Sequence, residues 1–153
     1  MSPVTSGFRE SGRGLAERAP GIRPDPAART VVHLGGSPLL GAVWETFLFS
    51  EMRKLNGTLA APFAFWYYRD QRAREIDCVL ERGGQLSFVE TKWQEKPGTD
   101  DARNLAAVHQ DLGAQGGPWK RGAHYVIGTP AASYSIAPGL TAGALRDLAR
   151  VFT

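Results

Sequence analysis

Arg74-Glu-Ile-Asp-Cys-Val-Leu-Glu-Arg-Gly-Gly-Gln-Leu-Ser-Phe-Val-Glu-Thr-Lys-Trp93 is the stretch that decides how this chain folds. Two runs rich in β-branched and apolar residues flank Gly83-Gly84. A Gly-Gly pair supplies the two positive φ angles that a tight type I′ hairpin turn requires. A hairpin centred there sets Val79 opposite Phe88, Asp77 opposite Glu90 and Glu75 opposite Lys92. Residues two apart share a face of a strand, so Glu75, Asp77, Glu90 and Lys92 are expected to form one polar square. Two carboxylates set directly opposite each other repel, and a bound cation would remove that penalty. The same charges also fit a solvated hairpin face, with Glu75 and Lys92 as an exposed ion pair contributing about 0–1 kcal/mol. One β-bulge would move Asp77 off Glu90.

Working outward, the 153 residues suffice for one domain with its own core. Hydrophobic content of 42% and charged content of 22% are those of a globular chain rather than a disordered one. No apolar run approaches the roughly 20 residues of a membrane-spanning helix. Nor does a basic start lead into an apolar signal segment, so no membrane and no secretion are expected. The single cysteine, Cys78, excludes an intramolecular disulfide and fits a reducing cytoplasm. It neighbours Asp77 on the strand but points to the other face, which reads as a buried structural thiol.

The net charge of +3 is unevenly placed. Residues 1–30 carry five Arg against three acids and read as a flexible Pro-, Gly- and Ser-rich tail. Residues 31–153, the expected domain, carry thirteen Lys and Arg against twelve acids. That near balance lacks the broad basic footprint of a dedicated nucleic-acid binder. Any nucleic acid would be met locally, by Arg69, Arg72, Arg74, Lys96, Lys120 and Arg121.

Ser37-Pro38 predicts a helix start. Leu40, Trp44, Phe47, Leu48, Met52 and Leu55 then form an apolar stripe that ends at Asn56-Gly57. Glu45 and Glu51 flank that stripe. A carboxylate on a buried helix face needs a partner, so one of them is expected to reach the polar square, the alternative being a Glu that only covers the edge of the core. Phe63 to Arg69 predicts an aromatic strand and Asp70 to Ala73 a turn. Pro97-Gly98 breaks the chain, and Thr99 or Asp100 is expected to cap a second helix to about Leu112, with His109 at its packed edge. Gly113 to Gly122 predicts a loop holding Trp119-Lys120-Arg121, Ala123 to Ile127 a strand, and Leu140 to Val151 a last amphipathic helix. The expected order is α-β-β-β-α-β-α. No phosphate-cradling G-x-x-x-x-G-K-[ST] loop, paired-cysteine zinc pattern or serine nucleophile elbow occurs.

A helix carrying Glu, a strand carrying Asp and a strand carrying Glu-x-Lys, in this order, resemble the PD-(D/E)XK nuclease superfamily. Leu40-Gly-Ala-Val-Trp-Glu-Thr-Phe-Leu-Phe-Ser-Glu-Met-Arg-Lys54, Tyr68-Arg-Asp70, Arg74-Glu-Ile-Asp-Cys-Val-Leu-Glu81 and Val89-Glu-Thr-Lys92 are similar to one member of it. That member is the C-terminal domain of prokaryotic AAA+ ATPases known as domain of unknown function 4143 (DUF4143). The resemblance implies an α/β fold with a restriction-endonuclease-like core, a mixed β-sheet flanked by helices. It also implies Asp77 and Glu90 as ligands of Mg²⁺ or Mn²⁺, Lys92 as the group that orients or activates water, and Glu45 completing the site from the helix. The implied reaction is hydrolysis of a phosphodiester in DNA or RNA. The alternative is a non-catalytic module that contacts nucleic acid or a separately encoded AAA+ ATPase, since the ATPase module itself is absent from this chain. The strand expected before the Glu45 helix is not evident in Arg29-Thr-Val-Val-His-Leu34.

Overall fold

The computed structural model describes the backbone of Phe8–Glu10, together with Ser37 and residues 39–153. The remainder of the expected tail, and the Arg29–Leu34 segment, lie outside the described residues. In chain order the elements are β1 (Phe8–Glu10), α1 (Leu39–Gly57), β2 (Ala64–Arg69), β3 (Glu75–Arg82) and β4 (Gln85–Thr91). Then follow α2 (Arg103–Ala114), β5 (Lys120–Arg121), β6 (His124–Gly128), β7 (Tyr134–Ala137), β8 (Leu140–Ala144) and a 3-10 helix at Leu145–Phe152. The strands make one mixed sheet in the order β1-β2-β3-β4-β6-β8-β7, with β5 added on β4. Strands β1 to β4 are antiparallel, whereas β4, β6 and β8 run parallel. A parallel step needs a long crossover, and α2 supplies it between β4 and β6.

The hairpin forms as its glycines require. Gly83 and Gly84 take φ of 60° and 78°, where a side chain costs about 1 kcal/mol or more. Arg82 pairs with Gln85, Val79 with Phe88 and Cys78 with Val89. Two cores flank the sheet, each set by strand alternation. Trp44, Leu48 and Met52 of α1 pack with Cys78, Leu80, Val89 and Ile127, joined by Leu148, Val151 and Phe152 of the 3-10 helix. Leu105 and Val108 of α2 pack with Val79, Leu86, Phe88 and Val126. Full burial of a side chain such as Leu48 or Phe88 stabilises by roughly 1.5–3 kcal/mol.

Helix α1 is anchored at both ends. Ser37 Oγ accepts the Leu39 N–H at 3.3 Å, and its carbonyl accepts the Leu40 N–H at 3.0 Å. At the other end Asn56 does more than stop the helix. Its amide donates to Phe63 O at 2.9 Å and accepts the Phe63 N–H at 2.8 Å, which holds the chain at the entrance to β2. Phe47, expected in the apolar stripe, is instead 41% exposed.

Two elements differ from the sequence expectation. Helix α2 starts at Arg103, later than a Thr99 or Asp100 cap would place it. The Asp101 carboxylate accepts the Gly98 N–H at 2.8 Å and the Gln94 amide at 2.5 Å, and so closes the preceding turn rather than a helix end. The expected helix over Leu140–Val151 is a strand followed by a 3-10 helix. Gly139, at φ 74°, turns the chain so that Leu140–Ala144 lies along β6 and against β7. The small residues Ala142, Gly143 and Ala144 permit that close approach: a Cβ on Gly143 would come within 2.4 Å of Ile127 Cδ1. Periodicity fails here because a short strand buried on both faces need not alternate. Together with β5, these strands replace the expected α-β-β-β-α-β-α order by one with more strands after α2.

Candidate active site

The open end of the hairpin is where the sheet changes partner. Antiparallel pairing of β3 with β4 runs as far as Cys78–Val89, and Glu90 and Thr91 of β4 lie parallel to Val126 and Ile127 of β6. Across the other edge of β3 the register slips. Trp66 pairs with Val79 but Tyr68 with Ile76, so Asp77 and Cys78 together stand opposite Tyr67. This is a β-bulge, the local device that re-aims a strand side chain. The bulged Asp77 reaches across to β4, where its Oδ2 accepts the Thr91 N–H at 2.7 Å and the Thr91 hydroxyl at 3.0 Å.

Glu90 lies beside it, 7% exposed. Its Oε1 accepts from Lys92 Nζ at 2.8 Å, while its Oε2 is buried without a hydrogen-bond partner. Burial, reinforced by the charge of Asp77, raises the Glu90 carboxyl to about 7, against the pull of Lys92 and of the nearby Asp77 backbone N–H. Burial also raises the Asp77 carboxyl, although the Thr91 N–H and hydroxyl and the Lys92 charge oppose it. Burial by itself would lower Lys92, but its hydrogen bond to Glu90 and the charges of both acids outweigh that and hold it above the ordinary lysine value. A buried acid with an idle oxygen beside a half-buried one, both resisting ionisation, favours a hard cation. No group of three or more His, Cys, Asp or Glu suited to a metal occurs among the described residues. The acid pair alone still matches Mg²⁺, which is commonly held by one or two carboxylates and completed by water and phosphate oxygens.

Of the expected polar square, then, Asp77, Glu90 and Lys92 meet and Glu75 does not join them as drawn. Glu75 pairs with Arg69 at 3.2 Å, and the Lys92 N–H goes to Ile127 O at 2.9 Å rather than into a rung opposite Glu75. The β3–β4 ladder ends at Cys78–Val89, three steps short of that pairing. Glu45 is half-buried on α1, next to Trp44, and the described hydrogen bonds of the three site residues do not include it. Glu51 pairs with Lys54 at 2.6 Å and stays on the helix surface. Sequence reasoning missed Thr91, the middle residue of Glu-x-Lys, whose backbone and hydroxyl position Asp77. A hydroxyl at a strand end was its only signal.

A second titratable cluster sits on the other core. The His124 ring stacks on Phe88 at 4.8 Å between centroids, its Nδ1 accepts the Phe88 N–H at 3.1 Å, and its Nε2 lies 3.3 Å from His109 Nδ1. Burial, then His109 and Arg121, push His124 down to about 4. Every ring nitrogen of His124 is thus engaged, and the pair reads as packing, as expected for His109.

Fold and geometry define a mixed α/β domain that gathers two acids, one buried and one half-buried, and a lysine where strand pairing switches at the end of a central strand. The family described as Domain of unknown function (DUF4143) matches residues 40–145, and the chain belongs to it. No curated protein and no solved structure matches the chain.

Proposed function

We propose that this domain is a Mg²⁺- or Mn²⁺-dependent nuclease-like enzyme with a restriction-endonuclease-like core of the PD-(D/E)XK kind, acting on phosphodiester bonds of DNA or RNA. The observation that carries the reading is the buried, unpartnered Glu90 Oε2 beside Asp77, with Lys92 bonded to the same carboxylate. Asp77 and Glu90 would hold the cation. When bound, it would neutralise phosphoryl oxygens and make bound water more acidic. Thr91 keeps Asp77 turned toward β4. Lys92 holds a proton at Nζ and can place a water or offset charge on a phosphoryl oxygen. Glu45, on the helix over this end of the sheet, is assigned to complete the site.

A non-catalytic module that contacts nucleic acid or an AAA+ ATPase is the second reading. It is favoured by exposed Trp119 beside exposed Lys120 and Arg121, held rigid by Lys120 N–H to Gly84 O and Gly122 N–H to Leu86 O, both 2.8 Å. Calorimetric titration with Mg²⁺ and Mn²⁺ tests the first reading. Binding heat is expected for the intact protein and absent in Asp77→Ala and Glu90→Ala. Equal heat in both variants would sink the metal site. Oligonucleotide binding without cleavage in either cation would favour the second reading.

A further inference from the structure

An aromatic surface begins one residue beyond Lys92. Trp93 is 48% exposed and Phe47 41%, and both rings lean on Trp44, at 5.1 Å and 73° for Trp93 and at 5.9 Å and 31° for Phe47. Single exposed apolar residues need no explanation, but this group is fixed in place. Gln94 N–H bonds back to Lys92 O at 2.9 Å, so Trp93 is the central residue of a three-residue turn. Thr129 N–H then secures Gln94 O at 2.8 Å. The Ile127 carbonyl accepts both the Lys92 N–H, at 2.9 Å, and the Trp44 indole N–H, at 3.5 Å. One carbonyl therefore pins the strand of the candidate lysine and the indole that buttresses Trp93.

The charge balance restricts what such a surface can hold. Residues 31–153 hold thirteen cations, and among the described residues seven of these are engaged by acids: Lys54, Arg69, Arg72, Arg74, Lys92, Arg103 and Arg150. A domain this close to neutral gains little from displacing counterions along a duplex. Stacking on an aromatic ring depends far less on charge, and it is open only to a base that is not already stacked within a helix. We infer that Trp93, supported by Trp44 and flanked by Phe47, stacks an unpaired base, so that the substrate is single-stranded nucleic acid or a frayed end rather than an intact duplex. This rests on the nuclease-like reading for its placement beside Lys92. It concerns a different set of side chains.

Anisotropy of labelled oligo(dT) and of a hairpin duplex, each of roughly 10 nucleotides per strand, tests it on the full chain in EDTA, where no cleavage can occur. The intact protein is expected to bind oligo(dT) more tightly than duplex. Trp93→Ala should weaken oligo(dT) binding by about 10-fold, Trp93→Phe by less, and neither should alter the heat of Mg²⁺ binding. Equal oligo(dT) affinity in Trp93→Ala, a preference for duplex, or no binding of either would overturn the inference. So would self-association of the chain that Trp93→Ala abolishes, which would assign the surface to a second copy. Loss of the nuclease-like reading shows separately, as cation heat that survives Asp77→Ala and Glu90→Ala.

Discussion

The acid pair on β3 and β4 and the histidine pair on β6 and α2 each set a buried group beside a half-buried one, and both are titratable and tied to β4, yet they differ in one respect. His124 spends its nitrogens on Phe88 N–H and His109. Glu90 leaves an oxygen with nothing to bond. Burial of a polar group without a partner costs about 1–3 kcal/mol, so folding stabilises the first arrangement and is opposed by the second. A shifted pKa marks both and therefore cannot tell a site from a scaffold. The unused donor or acceptor can.

The largest effect should fall on the acid side. If Lys92 acts on the phosphodiester, Lys92→Ala lowers cation-dependent cleavage by about 100-fold or more while calorimetry still records cation binding. Cleavage that survives the substitution would trace to a contaminant or to another group. On the histidine side the expected loss is of stability. His124→Leu leaves the buried Phe88 N–H without an acceptor, and denaturant melts should show about 1–3 kcal/mol lost. His124→Asn, which restores an acceptor, should recover part of that loss. A melt in which Leu and Asn behave alike would mean that the ring stack, rather than the hydrogen bond, carries the histidine.

Acidity separates the two pairs by sign. His124 sits near 4 in the folded chain, below its ordinary value, so its contribution is complete above about pH 6.5 and fades as pH falls toward 4. His109 on α2 and Arg121 on β5 are the charged neighbours that add to this shift. Glu90 is raised, so without cation its contribution is complete below the ordinary carboxylate range and fades as pH rises through about 7. The two slopes oppose each other between about pH 4.5 and 6.5, each at most about 1.4 kcal/mol per pH unit. In EDTA, His124→Asn should therefore lose stability as pH rises through that window, and Glu90→Gln should gain it. Parallel pH profiles in the two variants would break the contrast.

How much of this was legible from residues alone depends on the range of the interaction. The Gly-Gly hairpin, its register to Cys78–Val89, the aromatic strand and the Ser37 cap are local, and their residue types are nearly sufficient. That register places Asp77 near Glu90 and Lys92, whereas in the fold the rungs stop at Cys78–Val89 and the bulged Asp77 reaches β4 through Thr91. The DUF4143 match agrees with the family suggested by the same motifs. What could not be read depends on a partner distant in sequence. The Asp77 bulge is set by β2, the capture of the Lys92 N–H by β6, and the strand at Leu140–Ala144 by the narrow gap beside Ile127. Phe47 shows the same limit: periodicity marks a stripe, but only the packing around it decides where burial stops.

The smallest expected effect tests the boundary of the site. The sequence alone places Glu75 with Lys92, whereas the fold gives it to Arg69 at 3.2 Å, with both side chains substantially exposed. Exposed pairs contribute about 0–1 kcal/mol, and solvent screens them further. Glu75→Ala should thus leave the melting midpoint nearly unchanged and the calorimetric cation affinity within about twofold, the charge of Glu75 being a minor influence on Asp77. A marked loss of cation binding would return Glu75 to the site and restore the four-residue square. Unchanged binding, set against its loss in Asp77→Ala, would locate the edge of the site between residues 75 and 77, where the bulge turns the strand.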